Sequence, residues 1–358
     1  MNGVPRDDLD TLATGHPELW RMLDGARLFL TGGTGFFGLW LVECALHVRK
    51  TLGLDLEITL LSRDPDKALT RRPGWRGQPG LTWLRGDVRN FTLPEGRFTH
   101  VLHAATDTSP EDQKDAAALL DIIVGGTRRV MEMAHRSGAQ RVLFVSSGAV
   151  YGRNNSRLPI TEGSTCTLDS MSGGVSYAFG KHFAEHLGHV AAAQSGIDFI
   201  VGRCFAFVGP GLPMNGHFAI GNFIHDALSA SEIVVRGDGT PVRSYLYAAD
   251  LCTWLYTLLI RAPSGRVYNV GSEQTLTIAE LAHFVRDKLS PGKPVRILTP
   301  PQDGLPLDFY APDTRRAQRE LGLAVQTPLE TAIRRTAQWL EAERASERNL
   351  DPNQQNSP

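Results

Sequence analysis

A tyrosine and a lysine four residues apart, Tyr177 and Lys181, are the side chains in this sequence best suited to proton transfer. They begin a helical pattern over Tyr177–Ser195, so both side chains leave the same face of the predicted helix. A tyrosine with a pKa of about 10 is a poor base at neutral pH, but a neighbouring ammonium group lowers that pKa. We therefore expect Tyr177 to act as a general base, with Lys181 beside it.

A glycine-rich segment near the start of the chain predicts a loop that binds phosphate groups. Gly32, Gly35 and Gly38 follow the apolar run Arg27–Thr31 and lead into a helical pattern. One glycine permits a tight turn, one lets the backbone approach a pyrophosphate, and one lets helix and strand pack closely. The helix amino terminus offers free N–H groups to the same anion. We expect a dinucleotide-binding site here.

Seven short apolar runs are spaced along the chain, with helical stretches between most of them. Most of the runs lack strict alternation of polar and apolar residues, as in strands covered on both faces. The pattern predicts an α/β fold with a Rossmann-type doubly wound parallel sheet. The runs are Arg27–Thr31, Leu56–Leu61, Thr82–Leu84, His100–His103, Arg141–Val145, Phe199–Val201 and Val267–Val270.

The order of the predicted strands and helices divides the chain into four predicted segments. Residues 1–25 form an amino-terminal helical extension, and residues 26–204 form the domain that binds NAD(P). Residues 205–344, rich in loops with proline and glycine, mainly build a substrate-binding lobe, with 267–271 returning to the sheet. Residues 345–358 are polar and are predicted to be a disordered tail.

Composition excludes several classes of protein. The 358 residues carry a formal net charge of -1, with 42% hydrophobic and 21% charged residues, which gives no reason to expect a nucleic-acid partner. No segment approaches the roughly 20 apolar residues that span a bilayer. The four cysteines form no CxxC pair, and the amino terminus lacks an apolar signal core. We expect a cytoplasmic enzyme with no membrane association and no metal site.

Several motifs occur in an order that resembles the extended short-chain dehydrogenase/reductase family, also called the NAD-dependent epimerase/dehydratase family. The resemblance covers roughly residues 26 to 340. Its motifs are the glycine spacing of 32–38, Gly86–Val88, His103–Ala105, Ser146–Gly152, the Tyr177–Lys181 pair and Arg243–Asp250.

The resemblance implies a nicotinamide cofactor and assigns residues to it. The pyrophosphate loop contributes Gly32, Gly35, Phe36, Phe37 and Gly38; Asp87 and Val88 lie at the adenine, Ala104 and Ala105 lie beneath the nicotinamide side, and Tyr177 and Lys181 complete the set. NAD is the expected cofactor. However, Ser62 and Arg63 stand where NAD enzymes usually carry a carboxylate, and this pair could receive the 2′-phosphate of NADP.

The resemblance also implies a nucleotide-diphosphate sugar as substrate, oxidised at carbon 4. It makes Ser147 the catalytic hydroxyl beside Tyr177, where it positions the proton of the sugar hydroxyl. The resulting ketone can be reduced on its other face, can promote loss of water, or can promote loss of a carboxyl group. The family's dehydratases place an acid and a base directly after the active-site hydroxyl, and its decarboxylases keep a glutamate there. This chain has Gly148 and Ala149 at those positions, which favours an epimerase acting at carbon 4. The alternatives are a 4,6-dehydratase, a decarboxylase, a 4-keto reductase and, in another class, a non-enzymatic nucleotide sensor.

Candidate substrate contacts follow the same motifs, and they are Thr106, Asp107, Ser147, Asn222, Arg236 and Arg243. Asp107 has a second interpretation as a solvated cap of the helix that follows it. Ala206 replaces the asparagine that family members commonly use to hold the substrate.

A homodimer is the expected assembly, because members of this family commonly pair through two helices. The apolar positions available for such a four-helix interface are Leu119, Leu120, Ile123, Val130, Phe183, Leu187 and Val190. The same residues could instead face the sheet.

Overall fold

The computed structural model describes residues 3–106, 115–154, 156–169, 174–214, 216, 218–300 and 308–350. Fourteen strands lie in these residues: β1 (Arg27–Thr31), β2 (Glu57–Ser62), β3 (Leu81–Arg85), β4 (His100–His103), β5 (Arg141–Ser147), β6 (Asp198–Cys204), β7 (Phe207–Val208), β8 (Ile233–Val235), β9 (Val242–Ser244), β10 (Leu246–Tyr247), β11 (Val267–Val270), β12 (Thr275–Thr277), β13 (Val295–Ile297) and β14 (Phe309–Tyr310).

The α-helices in the same residues are α1 (Arg6–Gly15), α2 (Pro17–Arg21), α3 (Phe36–Leu52), α4 (Pro65–Arg71), α5 (Ala116–Leu120), α6 (Gly126–Arg136), α7 (Ser176–Ser195), α8 (Ala219–Ser229), α9 (Ala248–Arg261), α10 (Ile278–Leu289), α11 (Arg315–Leu321) and α12 (Leu329–Leu350). A π-helical turn, Asp121–Gly125, joins α5 to α6, and 3₁₀ turns occupy Pro73–Trp75 and Gly148–Tyr151.

Local chemistry sets several helix ends. Asp64 caps α4, Thr277 and Glu280 form a capping box on α10, and α7 ends at the left-handed Gly196.

A seven-stranded sheet in the order β11-β6-β5-β4-β1-β2-β3 forms the centre of the molecule. Every strand pair in it is parallel. Each of these strands overlaps one of the seven predicted apolar runs, and the predicted doubly wound α/β fold is confirmed. Strands such as β6 are buried along nearly their whole length, because helices cover both faces of the sheet.

The strand order reverses between β1 and β4, which are neighbours in the sheet although β2 and β3 separate them in sequence. The connections that leave these two strands go to opposite sides of the sheet, so a crevice opens at their carboxyl ends. The glycine loop follows β1 and the pair Ala104 and Ala105 follows β4, which places both at this crevice. The fold therefore positions the predicted cofactor residues at the edge where doubly wound sheets bind ligands.

The short strands outside the central sheet form three small sheets: β7 with β10, β8 with β13, and β9 between β12 and β14. The amino-terminal helices α1 and α2 bury their apolar side chains in the main core, and these are Leu9, Leu12, Leu19 and Trp20. At the other end, α12 extends to Leu350, into the segment predicted to be a tail, and 351–358 lie outside the described residues.

Candidate active site

The three glycines of the loop after β1 differ in what surrounds them. Gly32 has a left-handed φ of +75°, and a Cβ built there would lie 2.5 Å from the Ala104 carbonyl oxygen. A Cβ at Gly38 would lie 2.2 Å from the Gly33 Cα, so α3 packs directly on the loop. At Gly35 a Cβ would meet only the Gly32 oxygen, at 3.6 Å, so this glycine leaves the loop open on its ligand side. The loop thus has the turn, the close packing and the open backbone that a pyrophosphate requires.

A cleft of about 1350 Å³ runs along the carboxyl edge of the sheet. One end, which we call the adenosine end, is lined by residues after β2 and β3 and on α4: Ser62, Arg63, Asp64, Lys67, Arg71, Arg72, Asp87 and Val88. The other end, which we call the catalytic end, is lined by Ser147, Ala149, Tyr177, Lys181, Phe205, Arg243 and Tyr310. The glycine loop with Phe36 and Phe37 lies between them and, with Ala104, Ala105 and Thr106, completes the cleft.

The three predicted catalytic residues converge on the catalytic end of the cleft. Ser147 is the last residue of β5, and α7 carries Tyr177 and Lys181 on the face that packs against this strand. The Lys181 ammonium donates a hydrogen bond of 2.8 Å to the Val145 carbonyl and lies 5.9 Å from the centre of the Tyr177 ring. Geometry therefore brings a phenol, a hydroxyl and an ammonium group together beside the cofactor cleft.

The pKa of Tyr177 differs from the sequence prediction. Burial raises it to about 12 in the protein alone, although the hydrogen bond with Ser147 acts in the opposite direction. Burial also lowers the pKa of Lys181 to about 7, since its ammonium group lies in the interior. In the protein alone, burial is the largest influence on the pKa of Tyr177, and its direction is opposite to the one expected from a neighbouring ammonium group. A cationic nicotinamide at this end would favour the phenolate.

A buried ion pair beneath the catalytic end was not foreseen from the sequence. Glu185 lies one turn after Lys181 on α7, and both its oxygens accept hydrogen bonds from Arg203 of β6, with the shorter contact at 2.6 Å. Glu185 also accepts a hydrogen bond from the hydroxyl of Ser146, the residue before Ser147. This network connects α7 to β5 and β6, the strand that carries Ser147 and its neighbour in the sheet, and so holds the predicted catalytic side chains in position.

Tyr310 is a second residue that the sequence analysis missed. It belongs to the two-residue strand β14, and its hydroxyl interacts with Ser147, while its ring packs 4.7 Å from that of Phe205. A Cβ at Gly148 would lie 2.8 Å from both the Tyr310 oxygen and the Phe205 ring. The two rings therefore close the space beside Gly148.

The predicted substrate contacts divide into residues at the cleft and residues away from it. Thr106, Ser147 and Arg243 line the cleft, and Arg243 donates a 2.6 Å hydrogen bond to the Asp308 carboxylate. Asn222 and Arg236 are not among the lining residues. The Asn222 amide donates to the Gly216 carbonyl instead, and Arg236 is exposed beyond the end of β8. Asp107 lies outside the described residues.

At the adenosine end the residues fit a dinucleotide. The Ser62 hydroxyl is buried at the end of β2 and accepts a hydrogen bond from the Asp64 N–H. Asp87 is held by Arg89, whose guanidinium donates to both carboxylate oxygens and keeps the pKa of Asp87 below its usual range. The adenosine end thus combines hydroxyl, carboxylate and guanidinium groups next to an open glycine loop.

Comparison with known proteins identifies the family of this chain. A model of the NAD dependent epimerase/dehydratase family matches residues 28–271. The chain belongs to this family. UDP-glucuronic acid decarboxylase 1 of Xenopus tropicalis is 27% identical over 322 residues, which are 89% of this chain and 73% of that protein.

Solved structures of the family share the fold. A dTDP-glucose 4,6-dehydratase from Streptomyces venezuelae, solved with NAD and TYD bound, is 25% identical, and the match covers 89% of this chain and 98% of that one with a TM-score of 0.75. A UDP-glucose 4-epimerase from Thermotoga maritima is 20% identical, with 88% and 99% covered and a TM-score of 0.73. The resemblance found in the motifs is confirmed. NAD is the cofactor, and the protein is an enzyme of this NAD-dependent type.

The helices expected to form a dimer interface present only some of the proposed apolar residues to solvent. Leu119, Ile123 and Val130 are buried against the sheet within the protomer. Phe183 and Val190 on α7 are 54% and 39% exposed. No helix in the described residues is long and apolar enough to cross a membrane.

Proposed function

We propose that this protein is a nucleotide-sugar epimerase that inverts carbon 4 through a transient 4-keto sugar. The observation that carries the proposal is the pair after Ser147. Gly148 and Ala149 stand where the family's dehydratases and decarboxylases carry acidic residues, and neither side chain can transfer a proton. The packing of Phe205 and Tyr310 around Gly148 supports the same conclusion, since it leaves no space for an acidic side chain there.

The distribution of charge in the cleft supports this function further. Among the lining residues that the structure describes, the carboxylates are Asp64 and Asp87, and both lie at the adenosine end. Dehydration and decarboxylation need a further group that moves a proton or stabilises charge at carbon 5 or carbon 6. Epimerisation needs only the phenol and hydroxyl beside carbon 4.

The roles of the residues follow from their positions. Tyr177 takes the proton of the 4-hydroxyl and returns it to the ketone oxygen, and Ser147 holds that oxygen in place. Lys181 would hold the ribose of the nicotinamide. NAD would supply the reversible hydride acceptor that oxidation and re-reduction of carbon 4 require. Arg243 offers a planar guanidinium that suits the two phosphates of the substrate.

The proposal is tested by incubating the purified protein with UDP- and dTDP-linked sugars, without added cofactor, and analysing the products by mass spectrometry and NMR. We expect a product of unchanged mass with inverted carbon 4. Replacing Tyr177 by Phe should lower kcat by about a hundredfold to ten-thousandfold, because it removes the general acid–base group. NAD binding should persist in the same variant, which separates a catalytic loss from misfolding.

Three outcomes would contradict the proposal, and each would name another reaction. Loss of carbon dioxide from a UDP-uronate would establish a decarboxylase, the activity in the name of the Xenopus relative. Loss of water would establish a dehydratase. Turnover that appears only with a 4-keto sugar and a reduced cofactor would establish a reductase.

A further inference from the structure

Helix α1 precedes residue 28, where the family match begins, and it places a carboxylate in the interior of the molecule. Asp8 is 1% exposed, accepts a 2.5 Å hydrogen bond from the Tyr247 hydroxyl of β10 and pairs with Arg335 of α12. A buried ion pair adds little net stability, because the cost of desolvating the charges offsets their attraction. It does require one arrangement of its partners, since an unpaired charge in the interior is costly. Asp8 is therefore suited to fix the position of Tyr247.

Tyr247 belongs to a pair of short strands whose neighbours in sequence line the cleft. Strand β10 is parallel to β7, with Tyr247 opposite Val208. Phe207 of β7 lines the cleft, as do Arg243 and Tyr245, which come shortly before Tyr247 in the chain. We call these three lining residues the lobe wall. A shift of β10 would therefore move the lobe wall.

The lobe wall depends on packing outside the central sheet for its position, because β7 and β10 form a separate two-stranded sheet. The Tyr247 ring packs edge-on against Trp40 of α3, with 5.5 Å between the ring centres. The Trp40 indole donates a 2.8 Å hydrogen bond to the Pro210 carbonyl, just after β7. Helix α3 thus holds the ring of Tyr247, and Asp8 of α1 holds its hydroxyl. Fixing both ends of this side chain fixes the strand that carries it.

We propose that α1 is a positioning element of the active site: through Tyr247, Asp8 sets the place of the lobe wall and so aligns Arg243 with the diphosphate of the substrate. The inference rests on the proposed role of Arg243 as a substrate contact. The predicted catalytic side chains lie on β5 and α7, and the glycine loop follows β1. The loss of Asp8 should therefore weaken substrate binding more than it changes kcat or cofactor binding.

The test is steady-state kinetics with the UDP- or dTDP-linked sugar that the wild type converts, together with calorimetric titration with NAD⁺. Replacing Asp8 by Ala should raise KM about tenfold, the loss expected for a misplaced hydrogen bond to a charged group, and change kcat and the Kd for NAD⁺ by less than about twofold. Asp8→Asn should recover most of the loss, because its amide oxygen can still accept a hydrogen bond from the Tyr247 hydroxyl.

Two controls separate positioning from loss of stability. Asp7→Ala removes an exposed carboxylate in the same turn, and Val130→Ala removes buried methyl groups from α6, in a separate apolar cluster. Neither should change KM, although Val130→Ala lowers the free energy of unfolding. The proposal is overturned if KM is unchanged in Asp8→Ala, or if Val130→Ala raises KM by the same factor.

A second readout needs no substrate, so it tests the position of the lobe wall even if the proposed reaction is wrong. In protein labelled with fluorotyrosine, the fluorine NMR signal of Tyr245 is the one absent from the variant Tyr245→Phe. This signal should shift in Asp8→Ala, move back towards its wild-type position in Asp8→Asn and stay unchanged in Val130→Ala. A Tyr245 signal that is the same in Asp8→Ala as in the wild type would overturn the proposal, whatever the reaction at carbon 4.

Discussion

At the scale of single residues, burial gives Lys181 an unusual protonation equilibrium. Its pKa falls to about 7 from an ordinary value of 10.5. Between these two pH values the unfolded chain keeps a proton on this lysine that the folded chain has released. The free energy of unfolding therefore rises with pH across this window, and below it the penalty for the buried ammonium is fully present.

Replacing Lys181 by Met should remove this penalty. We expect the variant to be more stable than the wild type at pH 7, with a difference that shrinks as the pH rises towards 10, because releasing the lysine proton on folding costs less as the pH approaches the pKa of the unfolded lysine. Urea denaturation at a series of pH values measures the difference. A stability difference between variant and wild type that stays constant with pH would show that folding does not lower the pKa of Lys181.

Gly148 is the residue whose size the proposed reaction depends on. Replacing it by Ala should displace the Tyr310 hydroxyl and the Phe205 ring, because the added Cβ would lie 2.8 Å from each. We expect a lower kcat and a destabilisation of about 1–3 kcal/mol, as for overpacked sites. Gly74→Ala is the control, because a Cβ there has no heavy atom within 4 Å and its φ is not left-handed. Equal effects of the two substitutions on activity and stability would show that Gly148 is not sterically confined.

The sequence could predict Tyr177, Lys181, Ser147 and the loop glycines because each lies in a motif with fixed spacing. It could not predict Tyr310 or Glu185. Tyr310 comes from a two-residue strand with no motif around it, and only tertiary packing carries its hydroxyl to Ser147. In the sequence, Glu185 has the features of an ordinary glutamate on a helix surface. Only the folded structure brings Arg203 of β6 into contact with it.

At the scale of helices and strands, the amino-terminal helix α1 is held by a buried polar contact. The Asp8 side chain is fully buried and accepts a 2.5 Å hydrogen bond from the Tyr247 hydroxyl of β10. It also pairs with Arg335 of α12. The helical extension was predicted from its apolar residues alone, and this link to two distant elements has no signal in the sequence.

Replacing Asp8 by Ala should loosen α1 from β10 and α12. The buried Tyr247 hydroxyl would lose its carboxylate acceptor, so we expect the free energy of unfolding to fall by about 1–3 kcal/mol. Asp7→Ala, at an exposed position in the same turn, should change it by less than about 0.5 kcal/mol. Chemical denaturation of both variants measures this, and similar small losses would contradict a role for the Asp8 contact.

The strands of the central sheet were predictable because short apolar runs that alternate with helical stretches are typical of a parallel sheet covered on both faces. The small sheets were not, since strands of two or three residues such as β9, β12 and β14 carry no periodicity. These strands bring Arg243 and Tyr310 to the cleft. The part of the cleft that we propose contacts substrate was therefore harder to predict than the part that we propose binds the cofactor.

At the scale of the whole molecule, the exposed apolar face of α7 supports the predicted homodimer. Phe183 is 54% exposed and Val190 39%, and both lie on the same side of the helix. We propose that two copies of the chain pair through this face. The buried residues Leu119, Ile123 and Val130 instead stabilise the protomer.

Replacing Phe183 by Asp should keep the chain monomeric, because it places a charge in the proposed apolar interface. Light scattering after size-exclusion chromatography measures the mass. Leu158→Asp is the control, since Leu158 is 70% exposed and belongs to a loop that follows the turn Gly148–Tyr151, not to α7. A wild-type monomer, or a dimer that survives the Phe183 substitution, would exclude this interface.

The most direct test of the proposed reaction is turnover of a nucleotide-linked hexose in D₂O, followed by NMR of the product. An epimerase that moves the hydride from and to carbon 4 never exchanges a carbon-bound proton with solvent, so we expect inverted carbon 4 and no deuterium on any carbon. Deuterium at carbon 5 or carbon 6 would contradict the account, because it would require a further acid–base group at the catalytic end, where Gly148 and Ala149 follow Ser147.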